Sequence, residues 1–291
     1  RNLETWLFEI GRRQLLITEG DSRNLDPLDL AIQWSEGLVE WWTNQKSFLI
    51  ELGNWSKTNE SSLLKTWKDQ DRLAQDWLDK RLPFEGEITE PSLARWLPRL
   101  LSSETYVMLA SSSPIRDWLA FAGSESLDRR CFGFRGASGI DGTLSLGMGL
   151  ATNLGPTILV CGDLALLHDS NGWLFADQNR PPLVVLLIDN QGGGIFEQLQ
   201  IDPVFNESFD QLFAMPQEIN HLALSAAYMI PGKQVSCLKD LPMALEWGFA
   251  QDSPALIRLS THRKNDAHLR QDIRSELLNF LNAPHQTDLS E

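Results

Sequence analysis

Asp163 and Asn190 stand 27 positions apart, each just beyond an unbroken apolar run. One run is Thr157-Ile158-Leu159-Val160-Cys161, the other Leu183-Val184-Val185-Leu186-Leu187-Ile188. One carboxylate, one amide oxygen and a nearby backbone carbonyl form a hard, oxygen-only donor set. Such a set suits Mg²⁺, which prefers octahedral oxygen coordination and completes its shell with phosphate and water. Gly192-Gly193-Gly194 follows closely, a stretch with no side chains to keep backbone away from a ligand. Residue types and spacing together point to a Mg²⁺-diphosphate site. Gly-Asp and Asp-Asn-x-Gly are also ordinary turn formers after strands, so these residues alone leave both readings open.

The elements that must position them follow from the same pattern. Apolar runs without polar alternation mark strands buried on both faces of a parallel sheet. The stretch between them, roughly residues 168–179, has room for the crossover helix that parallel neighbours require. Asp163 and Asn190 then emerge together at the carboxyl edge of one sheet, where open α/β sheets bind ligands. The helix after Asp163 points its amino end at that spot, a favourable place for a diphosphate. Strands near residues 105–110, 157–161, 183–189 and 255–259, separated by helices, give an α/β fold with a doubly wound parallel sheet. Helices are expected over residues 61–81, from Thr89-Glu90-Pro91 onward, and over 265–281. Residues 1–58 read as part of another α/β domain, with a strand near 14–18 and helices containing Trp34, Trp41 and Trp42. Residues 59–291 read as the diphosphate- and metal-binding domain.

Two upstream strings narrow the reading. Arg135-Gly136-Ala137-Ser138-Gly139-Ile140-Asp141-Gly142 is too glycine-rich for a helix or strand interior. Ser111-Ser112-Ser113-Pro114-Ile115-Arg116-Asp117 is a polar cluster leading into a helical pattern. With Asp163-Leu164 and Asn190-Gln191-Gly192-Gly193-Gly194-Ile195-Phe196, these strings resemble one family, the 2-succinyl-5-enolpyruvyl-6-hydroxy-3-cyclohexene-1-carboxylate synthases. These are thiamine diphosphate enzymes of menaquinone and phylloquinone biosynthesis. Leu164 replaces the glycine usual after the Asp in the wider superfamily, and is normal in this one. Met215-Pro216-Gln217 and Thr261-His262-Arg263-Lys264 also look like it.

The resemblance implies a cofactor, thiamine diphosphate, with Mg²⁺ or Mn²⁺ held by Asp163, Asn190 and the Gly192 carbonyl. It implies cofactor contacts at Gly139, Ile140 and Leu164, with Ile140 as the bulky residue beneath the bent cofactor. It implies two substrates, 2-oxoglutarate and isochorismate, with Ser112, Arg116 and Arg135 in their pocket and Ile195 and Phe196 as an apolar wall. Guanidinium forks suit such multiply anionic molecules. By the same resemblance the active protein is a homodimer or homotetramer. The family's activating glutamate belongs to an amino-terminal pyrimidine-binding domain, and no glutamate of this chain is assigned that role. The chain is therefore expected to be the carboxyl-terminal part of a synthase, binding Mg²⁺-diphosphate weakly and not turning over alone. Competing readings are another thiamine diphosphate decarboxylase or synthase, a noncatalytic cofactor-binding half-protein, and a dinucleotide-binding domain built on Gly147-Met148-Gly149.

Composition sets outer limits. A net charge of −14 over 291 residues argues against nucleic acid or an anionic membrane surface, which demand a basic face. No apolar run approaches a transmembrane length. Cys131, Cys161 and Cys237 are scattered and odd in number, as expected for buried thiols in a reducing compartment such as the cytoplasm. The eleven tryptophans sit mostly among Leu and Ala at helical spacing and are expected in the core. His168, just past the Asp163 turn, is left without a role.

Overall fold

The computed structural model describes residues 2–58, 62–134, 139–176, 182–199 and 208–283. The chain forms two compact units, residues 1–69 and 70–291. The change falls within a helix, eleven residues beyond the position read from the sequence.

The first unit holds α1 (Asn2–Glu9), two strands β1 (Gln14–Ile17) and β2 (Ala31–Trp34), and α2 (Leu38–Thr58). The strands pair in parallel, with Ile17 opposite Trp34. Trp34 was expected in a helix and lies in a strand. The Asp26 carboxylate explains the difference, because it accepts N–H groups from Leu28, Leu30 and Ala31. That local Asx-type turn reverses the chain just before Ala31 and delivers it extended.

The second unit is built on six parallel strands: β3 (Tyr106–Leu109), β4 (Cys131–Gly133), β5 (Thr157–Gly162), β6 (Leu183–Asp189), β7 (Gly232–Val235) and β8 (Ala255–Ser260). Their order is β4-β3-β5-β6-β8-β7. Sequence patterning finds the four central strands and misses β4 and β7. Both are short edge strands, and edges are where apolar runs are not needed. Cys131 is accordingly exposed, while Cys161 is buried in β5.

Alternation along β5 and β6 shows why these runs are uniformly apolar. Ile158, Val160, Val184, Leu186 and Ile188 join one core cluster, and Leu159, Cys161, Leu183, Val185 and Leu187 join the other. Each side chain so buried contributes roughly 1.5–3 kcal/mol. The first face is covered by α4 (Glu90–Leu100), α5 (Ser113–Phe121) and α9 (Leu241–Phe249). The second is covered by α6 (Thr143–Leu154) and α7 (Asp163–His168). Two further helices complete the unit, α8 (His221–Ala227) and α10 (Arg263–Asn282). The helix spanning the change of unit, α3 (Ser62–Arg81), buries Leu78 with Ala94, Phe121 and Ile273.

Two expectations need correction here. The crossover helix was placed near 168–179, but α7 begins at Asp163 itself and lasts six residues. It stops at Asp169, whose carboxylate turns to the Ser145 N–H and hydroxyl on α6, and a 3₁₀ segment, Ser170–Phe175, follows. The tryptophans divide as well. Trp118 and Trp173 are core residues, whereas Trp6, Trp42 and Trp67 are about half exposed.

Among the described residues no helix is long and apolar enough to cross a membrane. Gly147 and Gly149 lie inside α6, not in a strand-to-helix turn, so the dinucleotide-binding reading fails. Gly147 instead lets α6 sit against Leu159.

The strand order reverses between β3 and β5, because the chain steps outward from β3 to β4 and returns to the other side. Open α/β sheets bind ligands outside the carboxyl ends of the strands at such a switch point.

Candidate functional site

A cleft of about 440 Å³ opens at that position, over the carboxyl ends of β3, β5 and β6. The segment after β3 supplies Ser112 and Arg116, and the loop before α6 supplies Gly139 and Ile140. The end of β5 contributes Asp163 and Leu164. The end of β6 contributes Asn190, Gly192, Ile195 and Phe196. Every described residue assigned to the site from the sequence lines this cleft. Arg135 lies outside the described residues.

Asp163 is 2% exposed. One of its oxygens accepts the Leu164 N–H at 2.8 Å, the other the Gly192 N–H at 2.7 Å. The second bond ties the end of β5 to the loop after β6. Burial pushes the Asp163 carboxyl up to about 6, and the charge of Asp189 adds to the effect against the two amide bonds. Keeping it ionised at neutral pH therefore costs the fold on the order of 3 kcal/mol. A nearby cation would offset that cost. Asp189, at the end of the adjacent strand, behaves oppositely. Burial disfavours its charge too, but His221 at 3.5 Å and Arg258 at 2.6 Å outweigh it and hold the carboxyl at about 2.

Asn190 is buried, and its amide nitrogen donates to Glu90 Oε1 at 2.6 Å. Its oxygen has no hydrogen-bond partner among the described residues. An unsatisfied buried acceptor costs about 1–3 kcal/mol, and this one lies in the cleft beside Asp163. The Gly192 carbonyl accepts the Gly194 N–H at 2.9 Å and keeps a second lone pair. Among the described residues no three His, Cys, Asp or Glu side chains gather to hold a metal. The donors present are one carboxylate, one amide oxygen and one carbonyl. They fit a hard divalent cation that takes its remaining ligands from phosphate and water.

The three glycines have a different reason from the one read in the sequence. A Cβ at Gly192 would strike the Ala214 carbonyl, one at Gly193 the Phe213 carbonyl, and one at Gly194 the Asn190 amide. The protein's own backbone at 213–214 demands the first two and the Asn190 side chain the third, and Gly192 also has φ +118°. Strain gathers around the same cleft. Ser112 (φ 85°), Gln191 (φ 61°) and Met215 (φ 45°) are three of five non-glycine residues at positive φ among the described residues. Each costs of order 1–3 kcal/mol, and such residues cluster at ligand sites.

Arg116 is exposed and donates to the Ser112 carbonyl at 2.7 Å. Among the described residues no carboxylate pairs with it, so its remaining donors are available to an anion. Phe196 packs edge-on against Phe213, with ring centroids 5.9 Å apart, and together with Ile195 and Ile140 gives the cleft its apolar side. His168 is exposed and lies outside the cleft.

Two charged residues at the site escape sequence reading. Glu90 looks like an ordinary acidic first residue of α4, favoured there by the helix dipole, but it is 2% exposed and lines the cleft. Arg263 belongs to a noted string without a role, and it staples three segments together. It donates to the Gln191 carbonyl at 2.8 Å and pairs with Glu197 and Asp210. Nothing in one sequence signals either arrangement, since both partners come from far along the chain.

Comparisons with known proteins bear on the fold and on sequence similarity. Residues 121–259 match the family described as thiamine pyrophosphate enzyme, C-terminal TPP binding domain. That match spans part of the six-stranded parallel sheet and agrees with its α/β fold. The chain is similar in sequence to 2-succinyl-5-enolpyruvyl-6-hydroxy-3-cyclohexene-1-carboxylate synthases. It is 59% identical to the synthase of Prochlorococcus marinus (strain MIT 9313), over 98% of this chain and 49% of that one. The values are 60%, 98% and 49% for strain MIT 9303, and 56%, 96% and 49% for Parasynechococcus marenigrum (strain WH8102). The chain thus spans about half the length of the curated relatives it matches. Among solved structures, benzoylformate decarboxylase from Polynucleobacter necessarius aligns with 60% of this chain and 33% of its own. Its 15% identity and TM-score of 0.45 are too low to carry more.

Proposed function

We propose that this chain provides the diphosphate- and metal-holding part of a 2-succinyl-5-enolpyruvyl-6-hydroxy-3-cyclohexene-1-carboxylate synthase. The reaction is the decarboxylation of 2-oxoglutarate and addition of the remaining four-carbon unit to isochorismate, in menaquinone or phylloquinone biosynthesis. The observation that carries this reading is the meeting, in one switch-point cleft, of the Asp163 carboxylate, the unpartnered Asn190 oxygen and the Arg116 guanidinium.

When bound, thiamine diphosphate supplies the electron sink that lets a 2-oxoacid lose CO₂. The chain's own residues do the rest of what this part requires. Asp163, Asn190 and the Gly192 carbonyl would hold Mg²⁺ or Mn²⁺ and, through it, the diphosphate, with Leu164 and Gly139 as further cofactor contacts. Ile140 would be the bulky apolar residue against the cofactor. Arg116 would orient a substrate carboxylate next to Ser112, with Arg135 as a second guanidinium. Ile195 and Phe196 keep water from the reacting carbon. Residues 1–58 are read as part of the family's middle domain, and the working assembly as a homodimer or homotetramer with sites at the subunit interface.

Glu90 does not serve as the activating acid, because both its oxygens are engaged, one by Asn190 and one by Arg270. We therefore expect the chain alone to bind Mg²⁺ and thiamine diphosphate without turning over. The test is CO₂ release from labelled 2-oxoglutarate in the complete synthase. Arg116→Met should lower kcat/KM at least 100-fold with cofactor affinity unchanged. Full activity in that variant would remove the substrate assignment.

A further inference from the structure

A chain of buried polar groups runs from the cleft into the packing between α4, α5 and α10. Glu90, at the first turn of α4, uses one carboxylate oxygen to accept the Asn190 amide N–H at 2.6 Å. Its other oxygen accepts from Arg270 on α10 at 2.7 Å. Arg270 also donates to both oxygens of Asp117 on α5. Glu90, Arg270 and Asp117 are 2%, 6% and 4% exposed. Asp266 joins from α10, accepting the Glu90 backbone N–H at 3.3 Å.

A carboxylate only accepts hydrogen bonds, so an amide facing Glu90 must turn its nitrogen inward and its oxygen outward. The outward oxygen is the unpartnered Asn190 Oδ1. Arg270, itself fixed by Asp117, accepts no bond and donates to the second Glu90 oxygen, which holds the side chain in place with its first oxygen turned to the Asn190 amide nitrogen. Partners of this kind are known to set the orientation of metal ligands, and their loss usually weakens metal binding 10- to 100-fold.

We propose that Glu90, anchored by the Arg270–Asp117 pair, is the positioning residue that presents the Asn190 oxygen to a divalent cation. This rests on the metal reading of the site given above and adds a requirement to it. The end of β6 is competent only while the buried pair on α5 and α10 is intact. It also gives a reason for an amide at position 190. An aspartate there would bring two buried carboxylates into contact, whereas asparagine both donates to Glu90 and accepts toward the cleft.

The test is Mn²⁺ affinity in the presence of thiamine diphosphate, read by electron paramagnetic resonance, with thermal unfolding of each variant as a check of the fold. In Glu90→Gln the single side-chain oxygen is claimed by Arg270. The new amide nitrogen then faces Asn190 and turns it over, so Mn²⁺ affinity should fall 10- to 100-fold. The double variant Glu90→Gln/Asn190→Asp reverses the bond, with the residue at 90 donating and the residue at 190 accepting and still ligating. It should recover affinity to within a few-fold of the wild type. A merely structural role for Glu90 predicts no such recovery, since Arg270 stays one carboxylate short in both variants. Unchanged affinity in Glu90→Gln, or no recovery in the double variant, would overturn the positioning role while leaving the metal site standing. Wild-type Mn²⁺ binding that persists in Asn190→Ala would instead remove the metal reading itself, and the inference with it.

Discussion

The ends of β5 and β6 offer one oxygen ligand each to the same cleft, and they are held in opposite ways. Asp163 is oriented by its immediate surroundings, the N–H of the next residue and the N–H of Gly192. Asn190 is oriented from 100 residues away by Glu90, which is fixed in turn by Arg270, another 180 positions along. The first end is a local backbone device that leaves a costly charge in place. The second is a long-range side-chain device that leaves a neutral oxygen unsatisfied. On the metal reading proposed above, a buried carboxylate and an amide oxygen without a partner among the described residues would be the two halves of a cation site that neither strand end would make alone.

The sharpest way to break the comparison is Gly192→Ala, which attacks the contact between the two ends. The residue has φ +118°, and its new methyl would meet the Ala214 carbonyl. Strain and clash together should destabilise the loop by about 2–4 kcal/mol, measured by urea denaturation, and abolish cofactor binding. Stability within 0.5 kcal/mol would show that the loop relaxes freely. Next in size is Arg263→Gln, which releases the loop after β6 from Glu197 and Asp210. Removing a mostly buried cation from two carboxylates, one of them half exposed, should cost about 1–3 kcal/mol, with a weaker effect on the β5 end. An equal loss of Asp163→Asn and wild-type behaviour on top of it would mean the two ends are not separately held.

The smallest effect sharpens the contrast between the adjacent carboxylates. Asp163 has its folded value raised to about 6, so without ligand the folded state keeps a proton that the unfolded state releases. Its contribution to stability is therefore fully present below pH 4 and is lost as pH rises through 6. Asp189 sits at about 2, so its contribution is present above pH 4 and is lost as pH falls toward 2. Urea midpoints of ligand-free Asp163→Asn should lose the downward slope of the wild type between pH 4 and 6 and gain none at lower pH. The same slope in both proteins would contradict the burial cost assigned to Asp163.

The same division explains what was legible in the sequence. β5 and β6 announce themselves because burial on both faces leaves no room for polar residues, and Asp163 and the Asp189-Asn190 pair are simply the first polar groups after each run. The Ser112, Arg116 and Ile140 segments are legible through family resemblance, and the structure brings them to the same cleft. Glu90 is not legible, because a glutamate in the first turn of a helix looks the same whether it faces solvent or an asparagine 100 residues on. β4 and β7 are missed because edge strands need no apolar run, and Trp34 because an Asp26-centred turn overrides the helical look of its neighbours. The glycines of 192–194 are legible and line the cleft, but the sequence does not show that the backbone at 213–214 and the Asn190 side chain also need them.

On the proposed reading, the two strand ends jointly hold a cation against a diphosphate. The most direct test is a calorimetric titration of thiamine diphosphate into the protein with and without Mg²⁺, repeated on Asp163→Ala. The prediction is binding that requires Mg²⁺ in the wild type and is weakened at least 100-fold in the variant, whose ligand-free melting temperature does not fall. Binding that is indifferent to Mg²⁺, or retained in Asp163→Ala, would contradict it.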